Sequence, residues 1–300
     1  MMPAKDPRIE FFTTLQAAGV APATPSALVA DGRLHRHHID GDRPGSLNGW
    51  HTLHLAHPAS GAGGSWKASI SIKWCSKRQS ALTASERAEI ARRITEDRKR
   101  AQEAQEARYR ASAAKAVRIW SDSAPANAQH PYLLKKMVAP GVARQSGDSL
   151  VLPVTDFDGN LIGLQFIAPD GTKRFLTGMK KAGGFIRTGD MPSADSKLVI
   201  AEGWATAQTL AALSPQDVVI SALDAGNIRP VACEARRRWP LLEIVVAADA
   251  DPVGMEKARG AAFAARAKWI WPRFPDGAPK DLSDFNDWYC WRKRGVGHAE

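Results

Sequence analysis

Acidic side chains stand at three breaks in an alternating series of apolar runs. Glu202 ends the run Leu198 to Ala201 and is followed by Gly203, which permits a tight turn and a close ligand. Asp249 and Asp251 end the run Ile244 to Ala248, and Asp281, Asp284 and Asp287 follow Lys280 after a Pro/Gly loop. In an extended segment residues two apart project to one side, so Asp249 and Asp251 are expected to face a single cation. Hard oxygen ligands of this kind suit Mg²⁺ or Mn²⁺, which keep waters and bind substrate phosphates through one or two carboxylates. Each motif alone also has a purely structural reading: a Glu-Gly turn, or an aspartate capping the next helix. The three in order, each at a strand end, point to chemistry.

The elements that must position these groups follow from the apolar pattern. Beyond Ser196, LVIAE, DVVISAL, LEIVVAADAD and KWIWP alternate with helical stretches, the third from about Val253 to Ala267, which predicts βαβ units and a parallel sheet covered on both faces. Open sheets of this class place ligands at the carboxyl ends of their strands, where the acids stand. After a turn-forming segment from Ala124 to Pro131, the runs Leu150 to Thr155, Leu161 to Ala168 and Arg174 to Thr177 predict an antiparallel sheet. From Thr83 to about Trp120 there is neither proline nor glycine, which predicts one long helix or a helical hairpin with a mixed-charge, solvated face. The first 80 residues read as a small α+β unit, with a helix around Ile9 to Ala18 and strands near Trp50 to Leu55 and Trp66 to Trp74.

The composition agrees with a soluble globular chain of about two domains: 300 residues, 44% hydrophobic and 24% charged. Lys+Arg 41 against Asp+Glu 31 leaves a net charge of +10, which favours a polyanionic partner. Cys75, Cys233 and Cys290 form no CxxC pair, which fits a reducing cytoplasm and offers neither a disulfide framework nor a zinc ribbon. No run approaches the roughly 18 apolar residues of a membrane span, and the charged start is unlike a signal peptide.

LVIAEGWATA, VVAADADPVGMEKA and PKDLSDFND resemble, in order, the three signatures of the Toprim domain of bacterial replicative, phage and plasmid primases, topoisomerases and some nucleases. LVLPVTDFDGNLIGLQFIAPDGTKRFLTGMKKAGGFI resembles the strand-rich stretch preceding Toprim in bacterial-type primases, and HPYLLKKMV resembles phage and plasmid primases. The likeness covers residues 118 to 292. It implies an α/β Toprim core, a parallel sheet flanked by helices, over 196–300 and a strand-rich primase subdomain over 121–195; the residue pattern ahead of it is expected to form a helical connector over 81–120 and an N-terminal α+β accessory domain over 1–80. The likeness implies a DNA primase that makes short primers from NTPs on a single-stranded DNA template with Mg²⁺ or Mn²⁺, and a replicative helicase as a further partner.

Residue by residue, Glu202 resembles the family's glutamate, a metal ligand or general base, and Asp249 and Asp251 its metal-binding pair. Lys280 and Asp281 match the Lys-Asp of the third motif, with Asp281 an additional metal ligand. Lys173, of a K-x-x-L motif, and Arg174 would face nucleotide phosphates or template, with Lys180 and Lys181 as weaker candidates. The family's Gly-Gly-Arg is replaced here by Gln165, Phe166 and Ile167, which removes one basic contact.

Two further functions use the same residues: metal-dependent nucleic-acid cleavage, and single-strand binding without turnover. Strand passage is disfavoured, since Tyr109, Tyr132 and Tyr289 lack the context of a nucleophile. Histidines 35, 37, 38, 51, 54 and 57 fit no zinc-finger spacing and read as exposed or core residues. Trp50, Trp66 and Trp74, beside Arg33, Arg36, Lys67 and Lys73, can either stack on single-strand bases or fill a small core.

Overall fold

The computed structural model describes residues 6–191 and 196–295; residues 1–5, 192–195 and 296–300 lie outside it, and with them the outer ends of the expected N-terminal, strand-rich and Toprim segments. The chain divides into two compact units, 1–106 and 107–300.

The first unit opens with helix α1 (Pro7–Ala17), started by Pro7 and by the Asp6 carboxylate, which accepts the Arg8 N–H at 2.9 Å. Strands β1 (His35–His37), β2 (Gly49–His54), β3 (Ser60–Ser65) and β4 (Ile70–Cys75) form an antiparallel meander in that order. Phe11 and Leu15 of α1 are fully buried with Val20, Leu28, Ile39 and Leu53, and Ile70, Ile72 and Trp74 pack against them. The segment SGAGGS, which the sequence reading takes as a separator between strands, is the strand β3, hydrogen-bonded on both sides. Its low β-propensity is overridden by helix packing: a Cβ on Gly61 would lie 3.3 Å from Phe11 Cζ and one on Gly63 2.7 Å from Leu15 Cδ2.

Buried beneath the same helix, His37 and His51 settle each other's protonation. His37 Nε2 donates to the Val20 carbonyl at 2.9 Å, and His51 Nε2 accepts the Val29 N–H at 3.1 Å. The remaining contact, Nδ1 to Nδ1 at 3.2 Å, is therefore a hydrogen bond donated by His51 to His37. Both rings are neutral and have every nitrogen engaged, and no group of three His, Cys, Asp or Glu able to hold a metal occurs among the described residues.

The boundary between the units falls within helix α2 (Ala84–Asp122), a single unbroken 39-residue helix, so the hairpin alternative does not occur. Its start is fixed by reciprocal hydrogen bonds between Thr83 and Glu86, and Lys77 adds a 2.6 Å ion pair to Glu86. Arg92 and Arg93 both form ion pairs with Glu89, Arg92 on the exposed side and Arg93 turned toward the Ala56 and Pro58 carbonyls, to which it also donates.

In the second unit β5 (Ala124–Pro125), α3 (Pro131–Lys136), β6 (Arg144–Ser146), β7 (Ser149–Thr155), β8 (Leu161–Ile167) and β9 (Lys173–Phe175) are followed by β10 (Ile186–Arg187). Then come β11 (Lys197–Ala201), α4 (Trp204–Leu213), β12 (Val218–Ser221), α5 (Ala225–Arg238), β13 (Glu243–Ala247), α6 (Pro252–Ala264), β14 (Lys268–Ile270) and α7 (Phe285–Gly295). An antiparallel sheet runs β5-β6-β7-β8-β9, and a second sheet runs β10-β12-β11-β13-β14, parallel except for β10. Ala116 of α2 is buried on one face of the antiparallel sheet with Val151 and Leu164. Its other face, through Leu150, Leu152 and Val154, shares a core with Trp204 and Ala205 of α4.

The parallel sheet is covered on both sides, which accounts for its continuous apolar strands. Leu198, Ile200, Ile220, Ile244 and Val246 face α5 and α6, while Val199, Val219 and Val245 face α4, with Phe285 of α7 beside them. Chain order makes β11 the first parallel strand, with β12 on one side and β13 on the other. Connections leaving β11 and β13 therefore diverge to opposite faces, opening a crevice at their carboxyl ends.

Desolvation, followed by the charge of neighbouring His37, pushes the His51 imidazole down to about 4. The unfolded chain takes up this proton near pH 6.5 and the folded chain only near 4, so this contribution to stability is lost as pH falls through that window. It is worth on the order of 3 kcal/mol. An NMR titration of the His51 ring is expected to show a midpoint near 4; a midpoint at or above 6 would contradict the buried neutral pair.

Candidate active site

The crevice between β11 and β13 is lined by acids from three connections. Glu202 leaves β11 one residue before Gly203, the N-cap of α4. Its half-buried carboxylate faces the Ala225 N–H at the start of α5, which favours its charged form. Burial raises its pKa, with Asp224 and Asp251 adding to the rise and Lys173 opposing it. Lys173 Nζ lies 3.6 Å from where a Cβ on Gly203 would stand, which places the K-x-x-L lysine of β9 directly over the Glu-Gly turn.

Asp249 sits just beyond β13 and is the most perturbed acid of the crevice. Burial pushes its carboxyl up to about 7, and the charges of Glu202, Asp284 and Asp251 push in the same direction against Lys173. Its Oδ1 is buried and has no hydrogen-bond partner. Gly254 is required beside it: a Cβ there would stand 2.9 Å from the Asp249 carbonyl oxygen and 3.0 Å from its Cβ.

The expectation that Asp249 and Asp251 share an extended segment needs correction, because the strand ends at Ala247. Asp251 has instead become the N-cap of α6, its Oδ1 accepting the Val253 and Gly254 N–H groups, both at 2.9 Å. One oxygen is thus committed to the helix, and the carboxylate charge still acts on both Glu202 and Asp249.

The third motif contributes differently from its sequence reading. The Ala250 N–H donates to the Ser283 carbonyl at 2.6 Å and pins the loop to the crevice. The acid this delivers to Asp249 is Asp284. Asp284 also caps α7 by accepting the Asp287 N–H at 2.8 Å. Asp281 is exposed and lines a separate groove of about 530 Å³ beside Lys135, Lys136 and Arg294; Lys280, also exposed, precedes it. Asn286, fully buried, ties α7 to its neighbours by donating to the Lys136 carbonyl at 2.6 Å and to Thr209 Oγ1 at 2.9 Å.

The predicted basic residues separate as well. Arg174 follows Lys173 in a strand, so it projects to the opposite side, where it acts on Asp170. Lys181 forms an ion pair with Asp224 and lies over the Phe175 ring at 5.1 Å. Lys180 is exposed. Asp224 lies three residues beyond the end of β12 and caps α5. The sequence reading passed over it, although an acid closing the middle strand run VVISALD was its signal.

A hard divalent cation fits this donor set. Asp249 Oδ1 lacks a partner, several carboxylates repel one another in a partly desolvated space, and Lys173 opposes them, with Lys181 paired to Asp224. No three-ligand cage is preformed among the described residues. The donors are carboxylate oxygens, which suit Mg²⁺ or Mn²⁺, ions that would complete their shells with waters and substrate oxygens. Glu202, Asp249 and Asp251 are the residues that would hold it.

Asp249 titrates higher in the folded chain than in the unfolded one, so its contribution to metal-free stability falls as pH rises from about 4 through about 7. At pH 8 without metal, Asp249→Asn is expected to melt a few degrees above the wild type, and added Mg²⁺ or Mn²⁺ should narrow the gap. A variant that melts no higher than the wild type would refute the repulsion.

No protein-family profile matches the chain. Two proteins of Escherichia coli, each described as DNA primase TraC, are 32% and 33% identical to it over 301 and 300 residues. Both alignments cover 93% of this chain, which spans 21% and 28% of those proteins. Among solved structures, the primase fragment of the bacteriophage T7 primase-helicase protein matches with a TM-score of 0.41 and 16% identity, over 55% of this chain and 72% of that one. A DnaG primase catalytic domain bound to ssDNA matches with a TM-score of 0.35 and 16% identity, over 55% of each chain. In sequence, then, the chain resembles two proteins described as DNA primases over nearly its whole length, which extends beyond the stretch 118 to 292 that carries the motifs.

Proposed function

We propose that this chain is the catalytic part of a DNA primase, which joins NTPs into short primers on single-stranded DNA with Mg²⁺ or Mn²⁺ bound at Glu202, Asp249 and Asp251. The observation that carries the reading is the meeting of Glu202, Asp249, Asp251 and Lys173 at the switch point of the parallel sheet. The likeness to proteins described as DNA primases supports the same reading. In this proposal residues 196–300 act as a Toprim domain and 121–195 as the primase subdomain. A replicative helicase would expose the template, and the setting would be the cytoplasm; no helix among the described residues is long and apolar enough to cross a membrane.

Joining a nucleotide requires a 3′-hydroxyl to be aligned with an α-phosphate while charge builds on the phosphoryl oxygens. When bound, the divalent cation supplies charge neutralisation and lowers the pKa of a coordinated hydroxyl. Glu202, with its raised pKa, is suited to accept the hydroxyl proton. Lys173, projecting over the Glu-Gly turn, offers a cation to the triphosphate. Lys181, held by Asp224 at the rim, and exposed Lys180 can meet the same phosphates or the template strand. Arg174, on the opposite side of β9, is assigned to nucleic acid outside the crevice. Lys280 and Asp281 are assigned to the neighbouring groove.

Incubation with single-stranded DNA, NTPs and Mg²⁺ or Mn²⁺ is expected to yield short oligonucleotides. Glu202→Gln should lower the rate by roughly 10²-fold or more. Failure to form product across a template panel with either metal would overturn the proposal, and degradation of labelled DNA without NTPs would replace it with a nuclease.

A further inference from the structure

The N-terminal sheet has one face under α1 and one face free of it, and the free face carries aromatic rings and cations together. Alternation puts Arg36 of β1, Trp50 and Thr52 of β2, and Ser71 and Lys73 of β4 on that side, with Gly64 and Ala62 of β3 between them. Trp66 continues the alternation one step past β3, since its N–H still donates to the Asn48 carbonyl at 3.1 Å. Its ring is 47% exposed and lies 5.9 Å from that of Trp50, with the Arg36 guanidinium 4.8 Å above it. Helix α2 reaches this face through His54 and Asp97, paired at 2.6 Å, at the end of β2 away from Trp50.

Electrostatics give the face a sign. Arg36 spends its Nε on the Leu47 carbonyl, and neither Arg36 nor Lys73 forms an ion pair among the described residues. Lys67, by contrast, is neutralised by Asp42 at 2.5 Å. Trp74, the third ring considered from the sequence, points the other way and packs on Phe11 at 5.5 Å. A folding role explains Trp74, whereas Trp66 is left with half its surface in water beside an uncompensated arginine.

We propose that this open face is a binding platform for single-stranded DNA, with bases stacking on Trp66 and Trp50 and the strand's phosphates meeting Arg36 and Lys73. Aromatic faces accept any base and are inaccessible to bases stacked inside a duplex, so the platform selects single strands with little sequence preference. Ala62, between Thr52 and Lys73 on this face, adds no bulky side chain to it.

Anisotropy of labelled dT₂₀ with the full chain, in EDTA and without nucleotides, tests the platform separately from primer synthesis. Trp66→Ala is expected to weaken binding about tenfold and Trp66→Phe to retain most of it. Lys73→Ala, at an exposed position, should lower the salt dependence of binding with no change in melting temperature. Wild-type affinity in Trp66→Ala and Lys73→Ala would overturn the proposal, as would equal affinity for a duplex of the same length. A Trp66-dependent preference for rU₂₀ would reassign the platform to RNA.

Discussion

Everything at the crevice depends on holding like charges close together in a space that water only partly reaches. Asp249 feels burial first and then three other carboxylates, and Lys173, which opposes them, comes from a different sheet. That arrangement is costly in the empty protein. It becomes favourable when positive charge enters, so the fold keeps at its switch point an unsatisfied demand for cations. The partnerless Asp249 oxygen states that demand at one atom. Preorganised polar groups of this kind trade stability for function.

The scaffold meets the cost with ordinary packing. Strands β11 and β13 are buried on both faces by helices of opposite sides, so their carboxyl ends cannot drift apart without breaking the central core. The antiparallel sheet shares a core with α4, and so the strand carrying Lys173 is held against the helix that begins at the Glu-Gly turn. The loop bearing Asp284 is pinned by one backbone hydrogen bond and by buried Asn286 behind it.

The order of acids and the alternation of apolar runs with helices were legible in the sequence, because period and strand-end placement are local properties. Glu202, Asp249 and Lys173 could be singled out on those grounds and on resemblance. What escaped was set by tertiary contact. Asp284 rather than Asp281 reaches Asp249 because a loop docks through the Ser283 carbonyl, which no spacing rule encodes. Asp251 left the extended segment because the strand stopped four residues earlier, at Ala247. Strand β3 hid behind glycines that look like a linker and in fact make room for Phe11 and Leu15. The tryptophans could be sorted only by knowing which face α1 covers.

Asp251 ties architecture to chemistry through the two oxygens of one side chain. With one it anchors the first turn of α6, and its charge reaches the acids across the crevice. Most replacements would cost α6 its start together with the charge, and only another capping residue such as Asn or Ser would keep the start. The fold therefore selects for a capping side chain here whether or not the site works, and a descendant that lost activity would be expected to keep a capping residue at this position longer than Glu202.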